Sequence, residues 1–169
     1  MPKIFLIGMP GSGKSTIGKK LASQLNYSFL DFDGEIERNE GATIKAIFEL
    51  KGEPYFRQIE AQVLSKVSDF EKNIVVASGG GTPCYYNGIE LMNLSGTTVF
   101  IDVSPKVLIE RLDSDMDRPL LKDNVGIKIR ELYNERIKVY SKAHIRIKAD
   151  NISIDDLITR IVEELNKVS

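Results

Sequence analysis

Gly8-Met9-Pro10-Gly11-Ser12-Gly13-Lys14-Ser15-Thr16 gathers three glycines, a lysine and flanking hydroxyls directly behind the apolar run Ile4-Phe5-Leu6-Ile7. The spacing Gly8-x4-Gly13-Lys14-Ser15 is that of a phosphate-binding loop. Glycines there remove the side chains that would hold backbone N–H groups away from a phosphate, and a helix starting near Lys14 adds its partially positive end. Lys14 is placed to reach the β and γ phosphates and Ser15 to set its hydroxyl on Mg²⁺, with Gly11, Ser12, Gly13 and Thr16 completing the cradle. A dinucleotide fingerprint fails here, because its third glycine would fall at Thr16. The expected ligand is a nucleoside triphosphate.

Two apolar stretches end in acids that can serve a metal. In Phe29-Leu30-Asp31-Phe32-Asp33 the two carboxylates are two residues apart at the end of an extended segment, which directs both to one side of a sheet. Such a pair suits both metal binding and proton acceptance from a hydroxyl. Asp102, at the end of Thr98-Val99-Phe100-Ile101, is the other candidate; before Ser104-Pro105 it reads better as a helix cap.

Two arginines carry double readings. Arg57 follows Glu53 by four residues and precedes Glu60 by three, the spacing of a surface ion-pair ladder worth about 0.5 kcal/mol per pair. Arg136 shares a helical segment with Arg130, Lys138 and Lys142 and can belong to a solvated basic face. Alternatively, two guanidiniums from separate helices can grip a small carboxylic acid through bidentate hydrogen bonds. His144 and Cys84 have no chemical partner nearby in sequence and read as structural.

The elements that must position these groups alternate between strand and helix. Residues 3–7, 27–33, 73–78, 97–103 and 144–148 read as strands, and 14–25, 44–50, 53–67, 104–112, 126–142 and 153 onward as helices. Gly52 breaks the chain between the second and third helices, and Ser153 with Asp156 forms a capping pair for the last. The acid-rich stretch 113–124 reads as a loop. Such alternation implies a mostly parallel sheet covered on both faces, an α/β fold.

The chain has 169 residues with a net charge of −1, so positive charge for an anionic ligand must be concentrated in one cleft, and nucleic-acid binding through bulk charge is excluded. One cysteine allows no internal disulfide, and no apolar run approaches the ~18 residues needed to span a bilayer. The expectation is a cytoplasmic, monomeric single domain with no membrane or nucleic-acid partner.

Six stretches together resemble shikimate kinase, a small P-loop enzyme family of the nucleoside monophosphate kinase fold: residues 8–16; Asp31-Phe32-Asp33; Gly52 to Glu60 (GEPYFRQIE); Ser78-Gly79-Gly80-Gly81; Arg118-Pro119-Leu120-Leu121; and Arg136 to Tyr140 (RIKVY). The resemblance implies a three-layer P-loop fold whose five-stranded parallel sheet has strand order 2-3-1-4-5, with a substrate-binding region over about 33–60 and a mobile lid over about 113–124. It implies ATP and shikimate as substrates and Mg²⁺ as cofactor, with the γ-phosphoryl group passing to the 3-hydroxyl of shikimate.

By position, the resemblance makes Asp31 the carboxylate supporting Mg²⁺ through water and Asp33 the one that binds substrate hydroxyls and accepts a proton. Arg57 and Arg136 hold the substrate carboxylate, with Glu60 orienting Arg57. Gly79, Gly80 and Gly81 let backbone N–H groups approach the substrate. Arg118 is the lid arginine over the phosphates, and Arg111 lies beside adenine. The family's basic or amide side chain after the last strand is replaced by Asp150 and Asn151, of which only Asn151 offers an amide to the base.

Overall fold

The structure is a computed structural model and describes residues 2–113 and 119–168. Five strands, β1 Lys3–Ile7, β2 Ser28–Asp31, β3 Ile74–Ala77, β4 Thr97–Asp102 and β5 Ile145–Lys148, form one parallel sheet in the order β2-β3-β1-β4-β5. Phe5 pairs in register with Val76 on one side and Thr98 on the other, so β1 is central. Its residues Ile4 to Ile7 are all buried, as a strand covered on both faces requires. The expected strand order holds.

Helices make the crossovers: α1 Lys14–Leu25, α2 Phe32–Glu40, α3 Ile44–Ser68, α4 Gly88–Ser95, α5 Pro105–Asp113, α6 Pro119–Tyr140 and α7 Ile154–Val168. In α1, Ile17, Leu21 and Ala22 form the buried stripe. The α3 run is interrupted at Gly52 (φ 80°, ψ 169°), where the left-handed backbone favours glycine and Pro54 restarts the helix. Ser153 Oγ accepts from Asp156 N at 3.1 Å and donates to that residue's Oδ2 at 2.6 Å, giving α7 the expected cap.

Three expectations change. The second strand ends at Asp31, and Asp33 lies instead in the first turn of α2, a helix that the sequence reading missed. Asp102 caps no helix: it is buried and accepts from Tyr133 Oη at 2.9 Å and from Arg146 Nε and Nη2 at 3.0 and 2.8 Å. Ser104 caps α5 instead, its Oγ accepting from Val107 N at 3.4 Å, while Asp150 Oδ1 accepts from Ser104 N at 2.8 Å. Finally, α6 begins at Pro119, so the part of the expected 113–124 loop from 119 onward is helical, while residues 114–118, including Arg118, lie outside the described residues.

Candidate active site

Parallel strands deliver their C-terminal ends to one edge of the sheet, and there the loop after β1, the β2–α2 junction and the loop after β3 meet. The loop after β1 curls through Gly8, Gly11 and Gly13, with φ values of 148°, 79° and 88°. It lines a cleft of about 360 Å³ together with Lys14, Ser15, Thr16, Asp31, Asp33, Gly79 and Gly80. The phosphate loop, the acid pair and the glycine turn, separate in sequence, therefore share one wall-to-wall space.

Lys14 is buried, and its Nζ donates to the carbonyls of Gly8 at 2.9 Å and Met9 at 2.8 Å. Burial lowers its pKa to about 8, partly offset by the negative charges of Asp33 and Asp31. Ser15 Oγ donates to Asp31 Oδ1 at 3.1 Å. A hydroxyl and a carboxylate in contact at the mouth of a phosphate loop are hard oxygen ligands, the kind that Mg²⁺ prefers, and they leave the rest of its shell to phosphate and water. Among the described residues no cluster of three or more acids, histidines or cysteines offers a dedicated metal cage. The donor set thus fits a metal that arrives with a nucleotide.

Asp33 faces the same cleft from α2. Burial raises its pKa, and the nearby charges of Asp31 and Glu60 raise it further. Its carboxylate and that of Asp31 converge as the sequence reading expected, but from a helix and a strand rather than from two positions of one strand.

Arg57 makes both bonds of the ladder that its spacing suggests, to Glu60 Oε2 at 2.6 Å and Glu53 Oε1 at 3.1 Å, yet it is only 9% exposed and Glu60 only 2%. A surface ladder has no such burial. Burial works against its charge, but the bonds and charge of Glu60, then the bond to Glu53, carry its pKa above the ordinary arginine value. Glu60 also accepts from Thr82 Oγ1 at 2.7 Å, which locks the carboxylate that orients Arg57. The guanidinium stacks 4.1 Å from the Tyr85 ring centroid, a contact that the sequence reading missed because Tyr85 lies 28 residues further along the chain. Arg57 itself borders a neighbouring open hollow of about 520 Å³ with Tyr85 and Tyr86 rather than the phosphate cleft.

The glycine turn lies between the phosphate cleft, which Gly79 and Gly80 line, and the Arg57 side chain, against which Gly81 packs. A Cβ added at Gly81 would lie 2.2 Å from Arg57 Nη1, and one at Gly80 would lie 2.9 Å from Arg136 Nη1. A Cβ at Gly79 would come within 3.1 Å of Asp33 Oδ1. The glycines therefore make room for three converging side chains, a role beyond the backbone approach expected of them. Arg136 Nη1 is buried with no hydrogen-bond partner among the described residues. A buried, unpaired guanidinium N–H is costly unless an anion completes it.

Arg111 donates from Nη1 to the Gly11 carbonyl at 3.3 Å and lines a small hollow of about 160 Å³ with Ser12, Gly13, Ala149, Ile152 and Leu157. This mostly apolar slot beside the phosphate loop suits a flat ring. Asn151 does not line it. Cys84 and His144 take structural places: burial raises the Cys84 thiol's pKa, and His144 Nδ1 accepts from Thr98 N at 3.2 Å.

A family model described as shikimate kinase matches residues 10–166. A curated shikimate kinase of Sulfurihydrogenibium sp. (strain YO3AOP1) is 42% identical over 167 residues, 99% of each chain. The solved structure of a shikimate kinase from Acinetobacter baumannii in complex with shikimate superposes with a TM-score of 0.90 at 36% identity, covering 100% of this chain and 95% of that one. A gluconokinase structure from Sinorhizobium meliloti matches 99% of this chain and 93% of its own with a TM-score of 0.64 at 16% identity, which is a likeness of fold alone.

Proposed function

The chain belongs to the shikimate kinase family, and from that premise we propose that its cleft transfers the γ-phosphoryl group of ATP to the 3-hydroxyl of shikimate, a step on the route to chorismate and the aromatic amino acids. The observation that carries the acceptor assignment is the buried, unpartnered Arg136 Nη1 across the glycine turn from the buried Arg57. Such a pair demands a small anion on the acceptor, which a shikimate carboxylate supplies.

In this reading the triphosphate lies along residues 11–16, with Lys14 turning from its loop carbonyls to the β and γ phosphates. The base enters the slot beside Arg111. Ser15 and Asp31 would hold Mg²⁺, which, when bound, neutralises phosphate charge. Arg57 and Arg136 grip the carboxylate, and that grip presents the hydroxyl to Asp33. Asp33 accepts the hydroxyl proton as the oxygen bonds to phosphorus and the bond to the ADP oxygen breaks; its raised pKa favours proton acceptance. The backbone at Gly79, Gly80 and Gly81 lines the acceptor's path. Arg118, outside the described residues, is assigned to the closing lid, where a cation over the transferring group excludes water and balances charge.

No helix among the described residues is long and apolar enough to cross a membrane. A coupled ADP-release assay offering shikimate, gluconate and a nucleoside monophosphate tests the proposal. Turnover with shikimate alone is the expected result; turnover with either rival acceptor and none with shikimate would overturn it.

A further inference from the structure

Tyr140 closes α6 and is wholly buried, its ring centroid 5.1 Å from that of Phe100. Its hydroxyl donates to the Gly80 carbonyl at 2.6 Å. Burial raises the phenol's pKa, so the group remains a protonated donor at any pH at which the protein works. Arg136 precedes it by four residues, one helical turn, and so shares its face of the helix.

The same helix thus touches the glycine turn twice. Tyr140 holds the carbonyl of Gly80, and Arg136 Nη1 packs where a Gly80 side chain would stand. Tyr133, two turns back, sends its hydroxyl elsewhere, to the Asp102–Arg146 ion pair. Of these two tyrosine hydroxyls, only that of Tyr140 reaches the acceptor's wall.

We propose that Tyr140 is a positioning residue for the acid subsite: its hydroxyl fixes the Gly80 turn at a set distance from α6, and so sets the gap between that turn and Arg136 into which the substrate carboxylate fits. The inference rests on the shikimate assignment above. It goes further by making a buried phenol, which touches no substrate, a determinant of acceptor affinity. The bond to Gly80 holds position rather than charge, so its loss should act on acceptor binding and leave the phosphate end alone.

The test is Tyr140→Phe, which keeps the ring against Phe100 and deletes the hydroxyl, with its bond to Gly80 and its contact with the Arg136 side chain. The shikimate KM should rise about tenfold, the effect of one buried hydrogen bond with its acceptor left unsatisfied, with the ATP KM and kcat within about twofold of wild type. Tyr133→Phe, which deletes a hydroxyl from the same helix, should leave the shikimate KM unchanged. An unchanged shikimate KM in Tyr140→Phe, with only its melting temperature lowered, overturns the inference. So does an equal rise in both variants, which would mean that α6 is merely loosened. Should Tyr140→Phe fail to fold, a wild-type structure with shikimate decides: the Tyr140–Gly80 bond must persist, and a phenol swung away from Gly80 refutes the proposal. If the wild type ignores shikimate, the functional reading and this inference fall together.

Discussion

In the proposed reading the phosphate-binding end is one uninterrupted stretch, residues 8–16, whereas the acceptor end draws on four separated segments: Asp33 and the turn at 79–81 beside the phosphate cleft, Arg57 at the neighbouring hollow, and Arg136 behind Gly80. At the first end, backbone does most of the work, and local glycine spacing dictates the shape. The other end is made of side chains that meet only because parallel strands β2 and β3 and the long α6 converge. On this reading local structure carries a general function, the holding of phosphate, while the proposed choice of acceptor is distributed over the fold. Each end should therefore fail separately.

Replacing Lys14 with methionine offers the largest expected effect. Removing the ammonium that balances charge on the transferring phosphoryl group should lower kcat by about a thousandfold or more, whichever acceptor is supplied. Single-turnover phosphoryl transfer measures this, and near-normal turnover would show that the backbone cradle suffices by itself. Arg57→Ala tests the opposite end. It should weaken shikimate binding by about 2 to 5 kcal/mol, because a buried carboxylate partner is left unpaired, with ATP affinity unchanged by calorimetry. If ATP binding fell equally, the two ends would not be separable.

Asp31→Asn probes the seam between them. The Mg²⁺ concentration for half-maximal rate should rise about ten- to a hundredfold, and the shikimate KM should stay where it was; a metal titration indistinguishable from wild type would remove Asp31 from the metal's surroundings. Smallest in expectation is Gly81→Ala. The added methyl meets Arg57 Nη1 and must displace it, raising the shikimate KM about fivefold with no change for ATP. An inert alanine would mean that the Arg57 side chain has slack.

Legibility in sequence followed the same division. The loop at 8–16 was readable because its spacing is that of a phosphate-binding turn, and the break at Gly52 because a glycine two residues ahead of a helix-starting proline favours an interruption. The helix carrying Asp33 was not, since α2 buries only Phe32 and Ile36 among nine residues and so shows almost no periodicity. Asp102 misled because capping logic looks to sequence neighbours, while its real partners, Tyr133 and Arg146, lie 31 and 44 residues away. The helical spacing of Arg57 correctly gave its bonds to Glu53 and Glu60 but could not give its burial, which depends on Tyr85 and the glycine turn packing over it. The resemblance to a known family assigned these arginines where periodicity left them ambiguous.

The pairing of Lys14 with the Gly8 and Met9 carbonyls has a consequence for the loop's shape. The Lys14 ammonium is already satisfied by its own loop, so in the proposed reading a triphosphate reaches it by exchanging one set of oxygen acceptors for another. One buried ammonium tying two successive carbonyls at the head of the loop braces the curl of residues 8–14 from within.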